Sequence, residues 1–335
     1  MAMALPINPP AVMTMPRRRQ LGSPAGVGIG ASSGGGVCAG SLMENLWCVG
    51  RRRHHGMVAP PFTAIHGLGR KSYSWPGHRP QPFDESRAVA MVDESPRSVL
   101  PPGLENDPKA IAAALEEGRA GMEAHKQPFW FIRHGETEAN VEGLALGRAD
   151  IPLTAHGQAQ ATACGQACAA LFKDAKDAAT WPFNHIVCSP MMRAWQTAWN
   201  IVQAIKAAGG PELPIRYDPD LTEVNFGPME GKSLSDNNWF EAWANGAPLK
   251  NGESRDLLAL RALRGLSMAA CEGKGSFLLV GHGAWFRALR FGLGMAPGQA
   301  VGAPVPNATP IHMEPTPQGW REKVMKAPGV VGAHD

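Results

Sequence analysis

The sequence predicts a three-layer α/β/α domain with a mostly parallel sheet, and three short apolar runs carry that prediction. The runs occupy residues 129–132, 186–188 and 277–280, and each passes directly into a polar turn. Such runs are typical of buried parallel strands. Strands that alternate with helices place helices on both faces of one sheet. Because open α/β sheets bind ligands at the carboxyl edge of their strands, the residues after each run are the first candidates for a site.

Two helices are predicted around the first strand. Asp107 can cap a helix that Pro108 opens and that runs to about Ala124, with apolar residues at helical spacing at Ile111, Leu115 and Met122. After the strand, Thr154 can cap an alanine-rich helix that reaches about Phe172. We expect the buried face of this second helix to comprise Ala159, Ala163, Ala167 and Leu171.

A third helix is predicted directly after the second strand. Ser189 is a suitable N-cap, Pro190 suits the first helical position, and the pair Gly209-Gly210 ends the helical pattern. A helix N-terminus offers unpaired N–H groups and the positive end of the helix dipole. We therefore expect this N-terminus to face an anion at the sheet edge, with Arg193 one turn into the helix.

Polar residues converge at the predicted strand ends. Arg133 and His134 close the first run, His282 follows the third run, and Arg193 lies near the start of the third helix. Together they predict a pocket for a dianion. Phosphoryl transfer depends mainly on positioning and charge stabilisation. A neutral imidazole can attack phosphorus when a hydrogen bond fixes its tautomer and nearby arginines lower its pKa. We expect His134 to be the nucleophile and His282 to donate to the phosphate oxygens.

Several sequence blocks, in a fixed order, resemble the histidine phosphatase superfamily, the phosphoglycerate-mutase-like group. The resemblance covers roughly residues 127–313 and rests on Arg133-His134-Gly135-Glu136-Thr137, Asn140, Gly147, Asp150-Ile151-Pro152-Leu153-Thr154, Ser189-Pro190, Arg193-Ala194, Gln196-Thr197-Ala198, Leu221-Thr222-Glu223, Phe226-Gly227, Glu230-Gly231, Gly252-Glu253-Ser254, Gly281-His282-Gly283 and Arg287. One block alone would be weak evidence, but many in order are strong. The resemblance implies a phosphoglycerate-mutase-like fold, phosphorylation of His134 and a phosphate clamp at His282. It also makes Asn140 and Gly283 candidate phosphate-binding residues.

Glu223 is the candidate general acid, and the resemblance points to it as well. A carboxyl group beside a phosphate dianion has a raised pKa, which suits a group that donates a proton and later takes one from water. Glu230 is the rival, since Glu223 could instead pair with an arginine. Two further roles stay open. Asn140 could cap a loop rather than bind phosphate, and Glu136 could orient Arg133, cap a helix or take part in the chemistry.

The sequence favours a phosphatase over a mutase. By resemblance, phosphoglycerate mutases carry a basic residue directly after the acid, whereas Val224 and Asn225 stand there, and Lys232 is the one cation before Lys250. We therefore predict hydrolysis of a small-molecule phosphate ester. Phosphoglycerate-mutase-type transfer and a catalytically dead phospho-ligand-binding adaptor are the alternatives. No cofactor, nucleic-acid partner or membrane partner is expected, and the oligomeric state is left open.

Residues 1–104 differ in composition from the rest of the chain. Up to Phe83 they hold nine of the 32 basic residues and one of the 29 acidic ones, so the remaining chain carries a net charge of about −5. Gly, Pro and Ser are frequent here, which predicts a disordered or low-complexity extension before a histidine phosphatase domain over 105–325 and a flexible tail over 326–335. The extension is a candidate export or organellar targeting segment, or a misassigned start upstream of Met91 or Met122. A cytoplasmic location is the main expectation.

Two further expectations concern the cysteines and the segment after the acid. The six cysteines show no framework spacing and no His or Cys nearby completes a ligand set, so we expect a reducing compartment and no metal. Residues 224–254 interrupt the alternation of strands and helices and are expected to form a cap over the pocket. Aromatic residues in such a segment belong more often to the core than to a ligand site, and here they are Trp239, Phe240 and Trp243.

Overall fold

A seven-stranded mixed sheet lies between two helical layers. The computed structural model describes residues 91–92, 103–124, 126–173, 181–272, 275–296 and 305–325, all within the second of two compact units, which spans residues 39–335. The strand order is β1-β4-β3-β5-β2-β6-β7. In chain order the strands are β1 (Met91–Val92), β2 (Phe129–Arg133), β3 (Ile186–Cys188), β4 (Ile215–Tyr217), β5 (Leu278–Gly281), β6 (Ile311–Thr316) and β7 (Gly319–Val324).

Helices cover both faces of the sheet. They are α1 (Pro108–Ala124), α2 (Glu138–Val141), α3 (Ala155–Leu171), α4 (Met192–Ala207), α5 (Trp239–Ala244), α6 (Arg255–Glu272) and α7 (Gly283–Gly292). Successive side chains of a strand point to opposite faces. Phe129 and Phe131 of β2 accordingly join the buried cluster that contains α1, α6 and α7, whereas Trp130 and Ile132 join the cluster that contains α3 and α4. The predicted three-layer α/β/α arrangement is confirmed.

The parallel strands end together at one edge of the sheet. β1, β4, β3, β5 and β2 run parallel, and the register pairs Arg133 with Gly281 and Cys188 with Val280. The mostly parallel sheet is thus as predicted, but β4 and the antiparallel hairpin β6–β7 were not predicted. Pro315 lies inside β6, yet β6 pairs with β2 only through 311–313, so the missing N–H of Pro315 costs no bond to β2.

The N-terminal extension contributes one short element to the sheet. Met91–Val92 pairs in parallel with β4, although no element was expected before residue 105. The remainder of the predicted extension up to residue 102 and the predicted tail 326–335 lie outside the described residues. Within the described part of the chain, no helix combines the length and the apolar character needed to cross a bilayer.

α1 and α3 occupy the predicted segments, but of the four residues predicted for the buried face of α3 only Ala167 is buried. Thr154 caps α3 by accepting a hydrogen bond from the Gly157 N–H at 2.9 Å. Ala159 and Leu171, which were expected to be buried, are exposed, and Ala163 is half-buried. Besides Ala167, the helix buries Gly157, Gln160, Ala161, Cys164, Gly165, Cys168 and Ala169. Close packing against α4 selects this face, because a Cβ atom at Gly165 would lie 2.6 Å from the Ile201 carbonyl oxygen.

α4 begins two residues later than predicted. Met191, not Ser189, is the N-cap residue. The Met192 N–H donates to Oδ1 of Asp150 at 2.7 Å, and the Met191 N–H donates to Oγ of Ser189 at 3.3 Å. These two N–H groups, which were expected to face an anion, therefore have protein partners. The predicted end is confirmed, since the helix stops at Ala207 before Gly209 takes a left-handed conformation with φ of 81°.

Residues 224–254 contain little regular structure. They hold two short 3₁₀ turns, Gly227–Met229 and Asp236–Asn238, followed by α5. Trp243 is buried, and Trp239 and Phe240 are half-buried against the same core cluster as α6 and α7. The ring of Phe226 makes edge contacts with all three of these rings. The aromatics thus pack with one another and with the core, as the sequence indicated.

Candidate active site

The two predicted histidines lie side by side at the carboxyl edge of the sheet. His134 follows β2 and His282 follows β5, and these strands are neighbours. The His134 N–H donates to the Gly281 carbonyl oxygen at 2.9 Å. The two ring centroids are 5.3 Å apart, and both side chains are buried. Strand pairing therefore places both imidazoles at one site, although they are separated by nearly 150 residues in the sequence.

His134 is held as a neutral imidazole with Nε2 as its basic atom. Its Nδ1 lies 2.7 Å from the Gly135 carbonyl oxygen, and because a carbonyl oxygen can only accept, Nδ1 carries the proton. Burial, and then the charges of Arg193 and Arg133, hold the pKa of His134 well below its usual range. The lone pair of Nε2 is consequently available at neutral pH.

His282 contacts the serine that was predicted to cap α4. Its Nε2 lies 2.7 Å from Oγ of Ser189, and neither side chain is exposed to solvent. Nδ1 of His282 is a buried atom with no hydrogen-bond partner among the described residues. Burial and the charge of Arg193 hold the pKa of His282 well below its usual range. The hydroxyl of Ser189 thus binds one ring nitrogen of His282, while the other ring nitrogen has no partner among the described residues.

The guanidinium groups of Arg193, which is buried, and Arg133, which is half-buried, contact carbonyl oxygens. Nη1 of Arg133 donates to Val305, and the two Nη atoms of Arg193 donate to Ala149 and Gly147, all at 2.9–3.0 Å. Burial lowers the pKa of Arg133 to about 10 and also lowers that of Arg193. The Nε atoms of both are buried and have no partner among the described residues. Because carbonyl partners carry no net charge, the positive charge of both side chains persists at the site.

The carboxylate of Glu230 supports the loop that holds Arg193. It accepts hydrogen bonds from the N–H groups of Gly147 (2.8 Å), Arg148 (3.3 Å) and Ala149 (3.0 Å). The carbonyls of Gly147 and Ala149 are the ones that bind Arg193. A Cβ atom at Gly147 would lie 2.6 Å from Oε2 of Glu230, so this glycine permits the close approach. Glu230 is therefore placed to orient the loop.

Glu223 lies against the N-terminus of α7. Its carboxylate accepts hydrogen bonds from the N–H groups of Trp285 (2.8 Å), Ala284 (3.1 Å) and Val224 (3.0 Å). Burial raises the pKa of Glu223, although these N–H groups and the charge of Arg193 act in the opposite direction. Among the described residues its carboxylate makes no ion pair within 4.0 Å, so the suggested pairing with an arginine is not seen there.

The loop after His134 packs closely against the start of α3, through Gly135, Gly157 and Glu136. A Cβ atom on Gly135 would overlap the Gly157 carbonyl group, and one on Gly157 would overlap the backbone of Glu136. Oε1 of Glu136 accepts a hydrogen bond from the hydroxyl of Thr154, the N-cap residue of α3, at 2.8 Å. Of the roles left open for Glu136, this hydrogen bond shows the one at the helix cap.

Asn140 holds the backbone around the site. Its Oδ1 accepts from the Thr137 N–H at 3.1 Å and from Nδ2 of Asn307 at 3.3 Å. Nδ2 of Asn307 also donates to the His134 carbonyl oxygen at 2.7 Å. The capping role is thus observed for the side-chain oxygen of Asn140, and a phosphate contact would use its amide nitrogen. Gly283, the first residue of α7, packs against the Arg133 guanidinium, where a Cβ atom would lie 3.3 Å from Nε.

The structure brings the predicted residues His134, His282, Arg133, Arg193 and Glu223 to one edge of the sheet. Sequence reasoning missed the contacts that Ser189, Asp150, Asn307 and Arg261 make around them. The first two belong to blocks already noted, but nothing local indicates their partners. In the described part of the chain there is no group of three or more His, Cys, Asp or Glu side chains that could hold a metal ion. The expectation of no metal stays a prediction.

Known proteins are similar to this chain over the region that holds these residues. The histidine phosphatase superfamily (branch 1) matches residues 129–328. The adenosylcobalamin/alpha-ribazole phosphatase of Salmonella typhimurium is 32% identical over 163 residues, which is 46% of this chain and 72% of that protein. A Klebsiella pneumoniae protein named "Probable phosphoglycerate mutase GpmB" is 33% identical over 163 residues, 46% of this chain and 68% of its own length. The crystal structure of TTHB049 from Thermus thermophilus has 30% identity and a TM-score of 0.41, and covers 56% of this chain and 92% of that one. Because the family match spans more than half of the sequence, the chain belongs to the histidine phosphatase superfamily.

Proposed function

We propose that this chain hydrolyses small phosphate monoesters through a phosphohistidine on His134. The observation that supports this best is a set of three buried nitrogens without partners among the described residues, namely Nε of Arg133, Nε of Arg193 and Nδ1 of His282. Buried polar atoms are nearly always paired. A phosphate dianion beside His134 satisfies these donors and balances the two guanidinium charges.

The first half-reaction transfers the phosphoryl group to the enzyme. Nε2 of His134 attacks phosphorus, the bond from phosphorus to the ester oxygen breaks, and Glu223 gives its proton to the leaving alkoxide. Burial raises the pKa of Glu223, which favours the protonated form that this role needs. Arg133, Arg193 and His282 bind the equatorial oxygens, where the charge of the transition state resides.

The second half-reaction releases inorganic phosphate. The Glu223 carboxylate takes a proton from a water molecule, whose oxygen attacks phosphorus as the bond to Nε2 of His134 breaks. The proton on Glu223 then restores the acid for the next cycle. Ser189 assists both halves in this proposal, because donation from its hydroxyl to Nε2 of His282 leaves the ring proton on Nδ1, the atom that faces the phosphate.

Trapping the intermediate tests the proposal. Brief reaction with a labelled phosphomonoester should leave a phosphoramidate on the protein that survives alkali and is lost in acid, and His134→Ala should abolish it. His156→Ala is a matched control, since His156 is an exposed histidine of α3 and should not affect the label. Label on a serine would contradict the assignment.

The acid can be tested by comparing two leaving groups. Glu223→Gln should lower the rate with an alkyl phosphate by about 10²- to 10⁴-fold, the size of a general-acid contribution. From a nitrophenyl ester the nitrophenolate departs without needing a proton, so the burst of His134 phosphorylation should largely persist. Phosphoenzyme should then accumulate, because its hydrolysis still needs a base for water. Glu230→Gln should affect both esters equally, because Glu230 acts through the Gly147 loop and Arg193. The reverse pattern would assign the acid to Glu230.

Phosphoglycerate-mutase-type transfer is the alternative, and the relatives carry both kinds of name. A mutase must hold a highly anionic substrate, which calls for additional cations in the segment after the acid. Lys232 and Lys250 of that segment are both exposed, which favours hydrolysis. Measuring inorganic phosphate release against transfer between phosphoglycerates would decide between them. Release without transfer is expected.

Two further parts of the proposal concern metals and location. Two guanidinium groups and His282 supply the charge stabilisation, so a chelator should leave the rate unchanged. Loss of activity in the presence of a chelator, restored by added magnesium, would contradict this.

We propose a cytoplasmic location, with export or organellar import as alternatives, because Cys164, Cys168 and Cys188 are buried thiols. Fractionation of cells that express the full chain, with detection at its C-terminus, would test the location.

A further inference from the structure

One buried arginine of α6 binds the backbone on which Glu223 lies. Nη1 of Arg261 donates to the carbonyl oxygens of Asp220 (2.8 Å) and Thr222 (2.7 Å), and Nη2 donates to that of Glu223 (3.3 Å). The side chain of Arg261 is 9% exposed. A single planar, rigid group thus fixes three carbonyls of a segment that has no regular strand or long helix to hold it.

Glu253 holds Arg261 in this orientation. Its Oε1 accepts from Nε of Arg261 and its Oε2 accepts from Nη2, both at 2.9 Å, which is a two-point contact between planar groups. Burial alone would raise the pKa of Glu253, but the charge and hydrogen bonds of Arg261, together with Arg148 and the Asn225 N–H, keep that pKa below its usual range. Oε2 of Glu253 also accepts from the Asn225 N–H at 3.2 Å. The Arg261–Glu253 pair therefore binds backbone groups on both sides of Glu223, at Asp220 and Thr222 before it and at Asn225 after it.

The same pair also reaches the loop that holds Arg193. Nη2 of Arg148 lies 3.7 Å from Oε2 of Glu253, and the neighbours of Arg148, Gly147 and Ala149, supply the carbonyls that bind Arg193. Because Arg148 is 46% exposed and this contact is long, it is weak beside the two contacts of 2.9 Å between Glu253 and Arg261, so a change at Arg261 should act mainly on Glu223.

We infer that Arg261, held by Glu253, is a positioning residue that sets Glu223 at the leaving oxygen for proton transfer. The inference rests on the proposed function, in which Glu223 is the general acid. It predicts that disturbing Arg261 impairs the protonation of the leaving group and not the attack by His134. A residue that only stabilises the fold would impair both.

Arg264 provides a matched control for this distinction. It lies one turn further along α6, is similarly buried at 12% exposure, and also binds a carboxylate at two points, through Nε to Oδ2 (2.7 Å) and Nη2 to Oδ1 (2.5 Å) of Asp220. Arg264 therefore binds the side chain of Asp220, in the segment that leads to Glu223, and no hydrogen bond from it to the Glu223 carbonyl oxygen is seen among the described residues. Each substitution, Arg261→Lys or Arg264→Lys, removes a guanidinium group that binds a carboxylate at two points. The two arginines differ because Arg261 also donates to the Glu223 carbonyl oxygen.

The test compares an alkyl phosphate with a nitrophenyl phosphate in single-turnover experiments on the full chain. Arg261→Lys should lower phosphorylation by the alkyl ester about tenfold to a hundredfold, part of the general-acid contribution, while the nitrophenyl burst changes by less than about threefold. The high-pH limb of the alkyl-ester rate should also move to lower pH, because a displaced Glu223 is better solvated. Arg264→Lys should show neither change.

Equal losses with both esters in Arg261→Lys, or the same selectivity in Arg264→Lys, would overturn the inference. Glu223→Gln is measured alongside: if it lacks the selectivity, the proposed acid role fails, and if it alone shows the selectivity, only the inference about Arg261 fails. Glu253→Gln is a milder second variant that keeps the carbonyl contacts of Nη1. It should reproduce the selectivity to a smaller extent even where Arg261→Lys does not fold, and a null result from it would count against Arg261.

Discussion

Ser189→Ala tests the hydrogen bond from Ser189 to Nε2 of His282. In the proposed function this bond leaves the ring proton on Nδ1, the nitrogen that binds phosphate. The substitution removes a hydroxyl 2.7 Å from Nε2 of His282, where neither side chain is exposed. Loss of a partner at a buried polar group costs about 1–3 kcal/mol. The ring proton can then move from Nδ1 to Nε2, which turns a lone pair toward the phosphate. Since about 1.4 kcal/mol corresponds to tenfold in rate, we expect phosphorylation to slow about tenfold to a hundredfold.

The assay combines kinetics with a direct observation of the tautomer. The burst with nitrophenyl phosphate should slow as much as the rate with an alkyl ester, because His282 binds the phosphoryl group and not the leaving group. Nitrogen chemical shifts of labelled histidine should show a protonated Nδ1 for His282 in the unaltered chain and a mixture of tautomers in Ser189→Ala. Each readout reports on the same hydrogen bond by a different physical route.

A control and a refuting result complete the design. Ser267 is a nearly buried serine of α6, and Ser267→Ala should leave both readouts unchanged. If Ser189→Ala kept Nδ1 of His282 protonated and phosphorylated His134 within about twofold of the normal rate, the hydroxyl would be a packing group only. The tautomer of His282 would then need another cause.

Two further predictions concern stability. Gly157→Ala should destabilise by about 3 kcal/mol or more and lower Tm by about 10 °C, because the new Cβ would overlap the Glu136 backbone, whereas Gly121→Ala, with nothing within 4 Å in α1, should stabilise slightly; equal Tm values would contradict this. His134 and His282 have lowered pKa values in the fold, so their contribution is present above about pH 6.5 and is lost as pH falls, by about 1.4 kcal/mol per pH unit for each. Denaturant titrations from pH 7 to 5 should show this slope reduced in His282→Gln, and an unchanged slope would exclude His282 as a source.

The residues of the site that could be predicted are those whose position depends on strand ends. An apolar run and the turn after it are local features, so the edge positions of His134 and His282 follow from the sequence around each one. The predicted roles of these residues then rest on the order of the blocks. Strand β4, helix α6 and the hairpin β6–β7 were not predicted, and β4 is only three residues long. β3 is equally short but is a continuous apolar run, whereas β4 has Arg216 at its centre and so lacks the apolar run that marked β3.

Helix ends and faces were predicted less well because distant residues decide them. Ser189 and Pro190 form a sound local start signal, yet Asp150, from a loop some 40 residues earlier, occupies the amide that fixes the start of α4. On α3 the alanines fit a helical stripe, but the small residue Gly165 permits the closest approach of α4 and so selects a different face. Both outcomes depend on a partner that no local pattern contains.

The arginines show the same limit most clearly. A charged residue in a helix is usually taken to mark the solvent face, but Arg261 is buried and Arg264 is half-buried because Glu253 and Asp220 neutralise them. Arg193 is buried and Arg133 is half-buried, yet their observed partners are carbonyl oxygens. A guanidinium paired with a carboxylate has little field left for a substrate, whereas one held by carbonyls keeps its charge for an anion. The partner, and not the residue type, therefore separates the arginines that hold the scaffold from those that we propose bind phosphate.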